Sequence, residues 1–193
     1  MNHSRKDMAY VLGLDGGGTK TIAVAADLRG NILGTGTSGA SNYQTVGLDR
    51  ALAAIKEASE RAKATAGAIH FKVACLGLAG AGRETDRAIL LPAIEELKLA
   101  DKTLLQHDVA IALAGATICQ PGVVVLAGTG AMAFGINRSG EQRRSSGWGN
   151  ILGDEGSAYY PGRRALAGAC RAYDGRGRKT ALVDKIMEHL GLE

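Results

Sequence analysis

The chain has 193 residues, of which 46% are hydrophobic, and a formal net charge of +4 at neutral pH. This length and this hydrophobic fraction are enough for one large domain with a buried core, or for one domain with part of another. No apolar run approaches the ~20 residues that cross a bilayer, and only 4% of the residues are aromatic, which leaves little to stack nucleic-acid bases on. We therefore expect a cytoplasmic protein without membrane or nucleic-acid partners.

The cysteines and the basic residues limit which kinds of protein and of ligand the sequence fits. Cys75, Cys119 and Cys170 are far apart in the sequence, so they form neither a disulfide framework nor a close-spaced metal motif, and we expect them to be small core residues. The basic residues are scattered, which favours a solvated face or a small anionic ligand such as a nucleotide.

The first predicted elements are two short strands on either side of a glycine-rich stretch. Residues 10–14 (YVLGL) and 21–26 (TIAVAA) are β-type runs, and the polar turn 27–31 (DLRGN) leads to a third run. The stretch GLDGGGTKT at residues 13–21 therefore lies in a hairpin and does not open a helix.

Two familiar phosphate loops do not fit this stretch. A Walker A motif needs a lysine where Thr19 stands, and the dinucleotide pattern needs a glycine where Thr21 stands. What remains is a hairpin whose glycine amides can approach a phosphate, with the hydroxyls of Thr19 and Thr21 and the cation of Lys20 nearby.

The middle of the chain alternates between helices and strands. Periodicity predicts an amphipathic helix over residues 47–66, a buried strand over 71–80, a helix over about 85–99 that Pro92 bends or restarts, a strand TLLQ, and an alanine-rich helix over about 110–119. His107 and Asp108 lie between the last two elements, and we expect His107 to be a passive loop residue.

A second hairpin begins after Pro121, with the strand VVVLAG, the segment TGAMAFGIN, a polar turn and the strand QRRSS. In each hairpin a threonine, Thr19 or Thr129, precedes a polar turn residue by eight positions, at Asp27 and Asn137. This repeat predicts two similarly built domains, at residues 1–120 and 121–193. The second is shorter than the first, so we expect it to be incomplete, with an unpaired sheet edge, and we count a homodimer among the expected assemblies.

With both hairpins considered, the sequence resembles the superfamily of actin, hexokinase and the ATP-dependent heat-shock chaperones. LDGGGTKT is similar to its phosphate-1 motif and VVVLAGTGAMAFG to its phosphate-2 motif. CLGLAGAGR (75–83), HDVAIAL (107–113) and GWGNILGDEGSAYYPGRRAL (147–166) resemble the BadF/BadG/BcrA/BcrD-type ATPases and N-acetylglucosamine kinases. The resemblance implies an α/β, RNase H-like domain with a five-stranded mixed sheet flanked by helices, followed by the first part of a second such domain.

The resemblance also implies ATP and Mg²⁺ as cofactors. The residues expected to bind the ATP phosphates are Gly16, Gly17, Gly18, Thr19, Lys20, Gly128, Thr129 and Gly130. Asp15 ends a strand beside the glycines, where its carboxylate either holds Mg²⁺, directly or through water, or is an ordinary turn residue. Asp108 is either a helix cap for the amides of Ala110 or Ile111 or, by resemblance, the base that accepts a sugar hydroxyl proton.

A sugar site is expected around the only tryptophan. Taken alone, Trp148 is typical of a core residue and Asp154 of a helix cap. Together, however, flexible glycines, an aromatic ring and carboxylates favour a sugar site, because carboxylates bind sugar hydroxyls and an indole packs against the apolar face of a sugar ring. By resemblance, the substrate-binding residues are Asn42, Asp108, Gly147, Trp148 and Asp154. Pro161 departs from the family pattern, because a helix through this position loses a backbone donor.

The function that follows is an ATP-dependent kinase for an amino sugar, with N-acetylglucosamine and its 6-hydroxyl as the leading expectation and glucosamine as a further candidate. One alternative is an ATPase that activates a partner reductase or dehydratase through an iron–sulfur cluster, against which the isolated cysteines count. Another is a sugar-responsive regulator without catalysis, although no helix-turn-helix precedes Tyr10.

Overall fold

Five strands near the start of the chain form one mixed sheet. They are β1 (Tyr10–Gly16), β2 (Thr21–Asp27), β3 (Ile32–Ser38), β4 (Phe71–Leu78) and β5 (Lys102–His107). Their order is β3-β2-β1-β4-β5, with antiparallel pairing from β3 to β1 and parallel pairing from β1 to β5. The computed structural model describes residues 9–128 and 130–192, and the expected five-stranded mixed sheet is confirmed.

Among its described residues this unit also has four helices, and the chain divides into two compact parts after Ala116, at the last residue but one of the fourth helix. The helices are α1 (Tyr43–Val46), α2 (Leu48–Thr65), α3 (Glu84–Glu95) and α4 (Asp108–Thr117). The amphipathic helix expected over residues 47–66 is confirmed as α2. The helix α3 continues through Pro92 and ends earlier than expected, because the chain turns after Glu95 and Lys98 adopts a positive φ of 50°.

The helices cover both faces of the sheet. Residues of α2 and α3, among them Ile55 and Leu90, share one buried core with Leu76 of β4. Side chains alternate between the faces of a strand, so the next residue, Gly77, belongs to the opposite face. A side chain at Gly77 would collide with Ile111 of α4, and α4 therefore packs against the face opposite α2 and α3.

The contact between α2 and β3 is made by backbone and by very small side chains. Ideal Cβ atoms built on Gly34 and Gly36 would lie 2.6 Å from the backbone nitrogens of Ala66 and Ala62, respectively. Ala58 and Ala62 of α2 are fully buried. The helix thus rests on the strand without an intervening layer of large side chains.

The second unit begins at Thr117. Its strands β6 (Gly122–Ala127), β7 (Ala131–Ile136) and β8 (Gln142–Ser146) form an antiparallel sheet in chain order, and the helices α5 (Tyr159–Tyr173) and α6 (Leu182–Leu190) follow. The second hairpin is therefore confirmed, and its meander has the connectivity of β1 to β3.

Two sequence details are resolved in the second unit. Pro161 is the third residue of α5, where a backbone N–H has no partner within the helix, so the proline removes no helical hydrogen bond. Cys119 and Cys170 are exposed, so the expectation that they are core residues is wrong. Across residues 9–128 and 130–192, no helix is both long and apolar enough to cross a membrane.

Candidate functional site

The glycine-rich stretch of the first unit forms a tight turn between β1 and β2. The amide of Gly17 donates to the carbonyl oxygen of Lys20 at 3.0 Å and closes the turn. Gly18, Thr19 and Lys20 are exposed, and an ideal Cβ atom on Gly18 would meet no atom within 4 Å. The outer part of the turn is therefore bare backbone that an anionic ligand can approach.

The inner part of the turn is held by packing. Gly16 is buried, and a Cβ atom there would overlap the Ser41 hydroxyl and lie 2.5 Å from Cδ2 of Leu78. The hydroxyl of Thr21 is fully buried, donates to the carbonyl oxygen of Gly39 at 2.7 Å and lies 2.8 Å from Oγ of Ser41. Thr21 thus faces inward and anchors the turn, and the expectation that its hydroxyl is presented to a phosphate is wrong.

Asn42 is tied directly to this turn. The carbonyl oxygen of Gly17 accepts hydrogen bonds from the amides of Ser41 at 3.0 Å and Asn42 at 3.1 Å. The side chain of Asn42 caps α1, with its Oδ1 accepting from the amide of Gln44 at 3.1 Å. The structure therefore brings the predicted sugar-binding asparagine next to the predicted phosphate turn.

Asp15 and Asp108 lie at the same edge of the sheet. Asp15 is paired in register with Gly77 of β4, and Gly77 with Gln106 of β5, two residues before Asp108. Partial desolvation raises the pKa of Asp15 above its ordinary value, the negative charge of Asp108 raises it further, and the positive charge of Lys20 opposes both. Two carboxylates that repel each other at strand ends form a site suited to a cation.

Both His107 and Asp108 accept hydrogen bonds from amides in the first turn of helix α4. The amide of Ala110 donates to Nδ1 of His107 at 3.2 Å, whereas Asp108 Oδ1 accepts from the amide of Val109 at 2.9 Å. The expectation of a passive loop histidine is therefore wrong, and Asp108 is not the partner of the Ala110 amide.

The second unit has its own glycine turn, between β6 and β7. The amide of Gly128 donates to the carbonyl oxygen of Gly130 at 2.9 Å, and the carbonyl oxygen of Gly128 accepts from the amide of Ala158 at 2.8 Å. Thr129, the remaining predicted phosphate-binding residue of this turn, lies outside the described residues.

Asp154 packs against this second turn. An ideal Cβ atom on Gly130 would lie 3.0 Å from Oδ2 of Asp154. Asp154 is only 8% exposed and adopts a positive φ of 61°. Its Oδ1 is buried without a hydrogen-bond partner among residues 9–128 and 130–192. A buried carboxylate oxygen in this state is unfavourable, and a ligand that donates to it offsets that cost.

Trp148 is a surface residue. It is 60% exposed, and the guanidinium of Arg144 lies 5.4 Å from the centroid of its ring, within the range of a cation–π contact. The preceding Gly147 has a positive φ of 73° and donates its amide to the carbonyl oxygen of Ala131 at 3.0 Å. The core interpretation of this tryptophan is therefore wrong, and Arg144 stacks on one face of the ring.

Sequence reasoning missed several residues that hold the site of the first unit. Ser41 anchors the glycine turn, and the buried Asp86 accepts a hydrogen bond from the hydroxyl of Tyr43. Ser41 and Tyr43 could have been found from the sequence, because they are the immediate neighbours of the predicted sugar-binding residue Asn42. Nothing local marks Asp86, because its partners are more than 40 positions away.

Comparison with known proteins gives consistent matches along the chain. The sequence matches the BadF/BadG/BcrA/BcrD ATPase family over residues 12–189. It is 35% identical to an N-acetylmuramic acid/N-acetylglucosamine kinase of Clostridium acetobutylicum, covering 96% of this chain and 61% of that protein. It is 38% identical to an N-acetyl-D-glucosamine kinase of Dictyostelium discoideum, covering 94% and 60%.

A solved structure of a protein with a related name has the same fold. The fold matches that of a candidate N-acetylglucosamine kinase of Chromobacterium violaceum with a TM-score of 0.79 and 28% identity, covering 95% of this chain and 65% of that one. The chain thus spans about three fifths of the length of the curated relatives it matches.

Proposed function

The chain belongs to the BadF/BadG/BcrA/BcrD ATPase family, and we propose that it is part of an ATP-dependent kinase for an amino sugar, with N-acetylglucosamine as the leading substrate and its 6-hydroxyl as the acceptor. One arrangement carries this proposal: the exposed glycine turn, Asp15 and Asp108 lie at one end of the sheet, and Asn42 is hydrogen-bonded to the turn. The kinases among the relatives support it.

The phosphates of ATP would bind to the bare backbone of the first turn. Gly17 and Gly18 supply amides, Thr19 a hydroxyl and Lys20 a positive charge, and the buried Gly16 fixes their position. In the second unit, Gly128, Thr129 and Gly130 are proposed for the same role. Oriented amides and a cation stabilise the charge of a transferring phosphoryl group.

Asp15 fits a magnesium site. Its side chain is exposed at the sheet edge, and its raised pKa shows that the surroundings disfavour the negative charge. Magnesium in nucleotide sites is held by one or two carboxylates together with phosphate and water. When bound, the ion would neutralise part of the phosphate charge, and Asp15 would hold it directly or through water.

Asp108 is proposed as the base. The sugar hydroxyl oxygen forms a bond to the γ-phosphorus, the bond from that phosphorus to the bridging oxygen breaks, ADP leaves, and the hydroxyl proton passes to the Asp108 carboxylate. Such a base must reach the hydroxyl proton within hydrogen-bonding distance. The Ala110 amide donates to His107, and Oδ1 of Asp108 accepts from the Val109 amide, so we assign the proton to the other carboxylate oxygen, Oδ2.

In the first unit Asn42 is proposed as a sugar-binding residue. In the second unit the residues proposed for that role are Gly147, Trp148 and Asp154. Asn42 has an amide that can donate and accept, and Asp154 has an unpartnered oxygen among the described residues that can accept from a hydroxyl. The indole of Trp148 offers an exposed aromatic surface. Since ATP is the phosphoryl donor, we place the reaction in the cytoplasm.

The decisive experiment measures ADP release with ATP and Mg²⁺ across N-acetylglucosamine, glucosamine, N-acetylmuramic acid and glucose, with mass spectrometry of the product. Sugar-dependent ADP and a phosphorylated amino sugar are expected. ADP release that ignores sugar would favour an ATPase that activates a partner enzyme. Sugar binding without ADP would favour a non-catalytic regulator, and either result would reject the kinase.

A further inference from the structure

Asn42 sits on an element that is too small to hold itself in place. Helix α1 has four residues, and none of them is buried. A single helical turn has little intrinsic stability. The position of α1, and with it that of Asn42, must therefore be set by contacts from other parts of the first unit.

Asp86, in the first turn of α3, supplies such contacts. It is only 7% exposed. Its Oδ1 accepts a hydrogen bond from the hydroxyl of Tyr43 at 2.5 Å and another from Nε2 of Gln44 at 3.2 Å. These hydrogen bonds lower the pKa of Asp86, with Tyr43 the larger cause, so the carboxylate is charged at neutral pH. The two residues that follow Asn42 are thus both fixed to one buried carboxylate.

The segment before α3 closes the other side of Asn42. Gly80 has a φ of 88°, and an ideal Cβ atom on it would lie 2.9 Å from Oδ1 of Asn42. The guanidinium of Arg87 donates from Nε to the carbonyl oxygen of Ala81 at 3.0 Å and fixes this segment to α3. The Asn42 side chain therefore lies between Gly80 and the amide of Gln44, and Gln44 is in turn bound by Asp86.

We propose that Asp86 is a positioning residue for sugar binding: through Tyr43 and Gln44 it orients α1, and thereby aims the amide of Asn42 at the sugar. This inference rests on the proposed function, because it requires Asn42 to contact the sugar. Asp86 itself contacts neither substrate. Its loss should therefore weaken sugar binding while leaving the phosphate turn and Asp108 intact.

The test compares Asp86→Ala, Asp86→Asn and Tyr43→Phe with the control Glu84→Gln, which removes an exposed charge from the same turn of α3. Asp86→Ala is expected to raise KM for the amino sugar by about 10- to 100-fold, the range that small displacements of binding groups produce. The kcat and the KM for ATP should change much less. Asp86→Asn, which keeps an accepting oxygen, should recover much of the loss, and Glu84→Gln should match the wild type.

Tyr43→Phe keeps the inference testable if Asp86→Ala does not fold. It removes only one hydroxyl at a half-buried position and should raise the sugar KM without changing the KM for ATP. Unchanged sugar KM in both folded variants, or an equal fall in kcat with every substrate, overturns the positioning role while the kinase stands. A wild-type protein without sugar-dependent ADP release instead rejects the proposed function, and this inference with it.

Discussion

Asp15 and Asp108 repel each other across the end of the sheet. They are separated in sequence by nearly the whole of the first unit, yet the charge of Asp108 is a principal cause, after desolvation, of the raised pKa of Asp15. The strand order places β4 between them, and its residue in this register is Gly77. The register therefore places two carboxylates at one edge of the sheet, and a cation bound there would reduce their repulsion.

Asp15→Asn should stabilise the protein at neutral pH while impairing the proposed kinase reaction. Because the folded state raises the pKa of Asp15 above its ordinary value of 3.8, the unfolded chain loses that proton first. Folding stability therefore falls as the pH rises through the interval between these two pKa values, and the whole penalty is present above it. Thermal melts should show a variant more stable than wild type at pH 7, with the difference vanishing in acid.

Asp101→Asn is the matched control for that measurement. Hydrogen bonds from Lys72 and His70 lower the pKa of Asp101, so its contribution to stability is present above its ordinary pKa and is lost in acid. This variant should be less stable than wild type at neutral pH. A loss of stability in Asp15→Asn like that in Asp101→Asn would contradict the repulsion between Asp15 and Asp108.

Asp108→Asn should cripple turnover and leave the fold intact. A positioned base contributes about 10²- to 10⁴-fold to rate, so kcat should fall by roughly that factor. The amide of Ala110 is capped by His107, and the helix α4 should therefore keep its melting behaviour. Coupled-enzyme ADP assays and circular dichroism provide the two measurements. Turnover within tenfold of wild type would remove Asp108 from the chemistry.

Gly18→Ala and Gly16→Ala should separate ligand binding from packing. A methyl group at Gly18 would have no atom of the described residues within 4 Å, so stability should be unchanged. The KM for ATP should rise, because the methyl group would occupy the space that the phosphate approaches in the proposed site. At Gly16 the methyl group collides with Ser41 and Leu78. Overpacking of this kind costs about 1–3 kcal/mol, which denaturant unfolding will detect. An unchanged KM for ATP in Gly18→Ala would argue against the phosphate role.

Asp154→Asn should separate sugar binding from stability in the second unit. Asparagine tolerates the positive φ of this position, and it replaces a buried carboxylate that has an unpartnered oxygen within the described part of the chain. The melting temperature should therefore stay constant or rise, while the KM for the amino sugar increases. Glu155→Gln, at the exposed neighbouring position, is the control. A sugar KM that does not move would remove Asp154 from the substrate site.

Local sequence patterns were sufficient to predict the first hairpin and helix α2, because turn residues and apolar periodicity determine both. The hairpin around the glycines follows from β-type runs that flank a turn, and α2 follows from its apolar periodicity. The inward direction of Thr21 was also accessible, because Thr21, Ala23 and Ala25 alternate onto one buried face of β2.

Tertiary contacts account for what the sequence did not reveal. The hydrogen bond from Tyr43 to Asp86 joins residues 43 positions apart, and no spacing rule marks such a pair. The hydrogen bond from the Ala110 amide to His107 depends on the orientation of the His107 ring, which the sequence does not specify. Composition alone favours a buried position for a lone tryptophan, and the exposed position of Trp148 is set by tertiary structure that the sequence does not display.

The backbone contact between β3 and α2 constrains how this protein can diverge. At Gly34 and Gly36 even the smallest side chain would meet the helix backbone, so neither position can change unless α2 withdraws from the sheet. A withdrawn helix would leave a void over its buried alanines that larger residues would have to fill. Substitutions in β3 and α2 should therefore be inherited as compensating sets, and a relative with a bulkier residue at either glycine should carry a displaced helix.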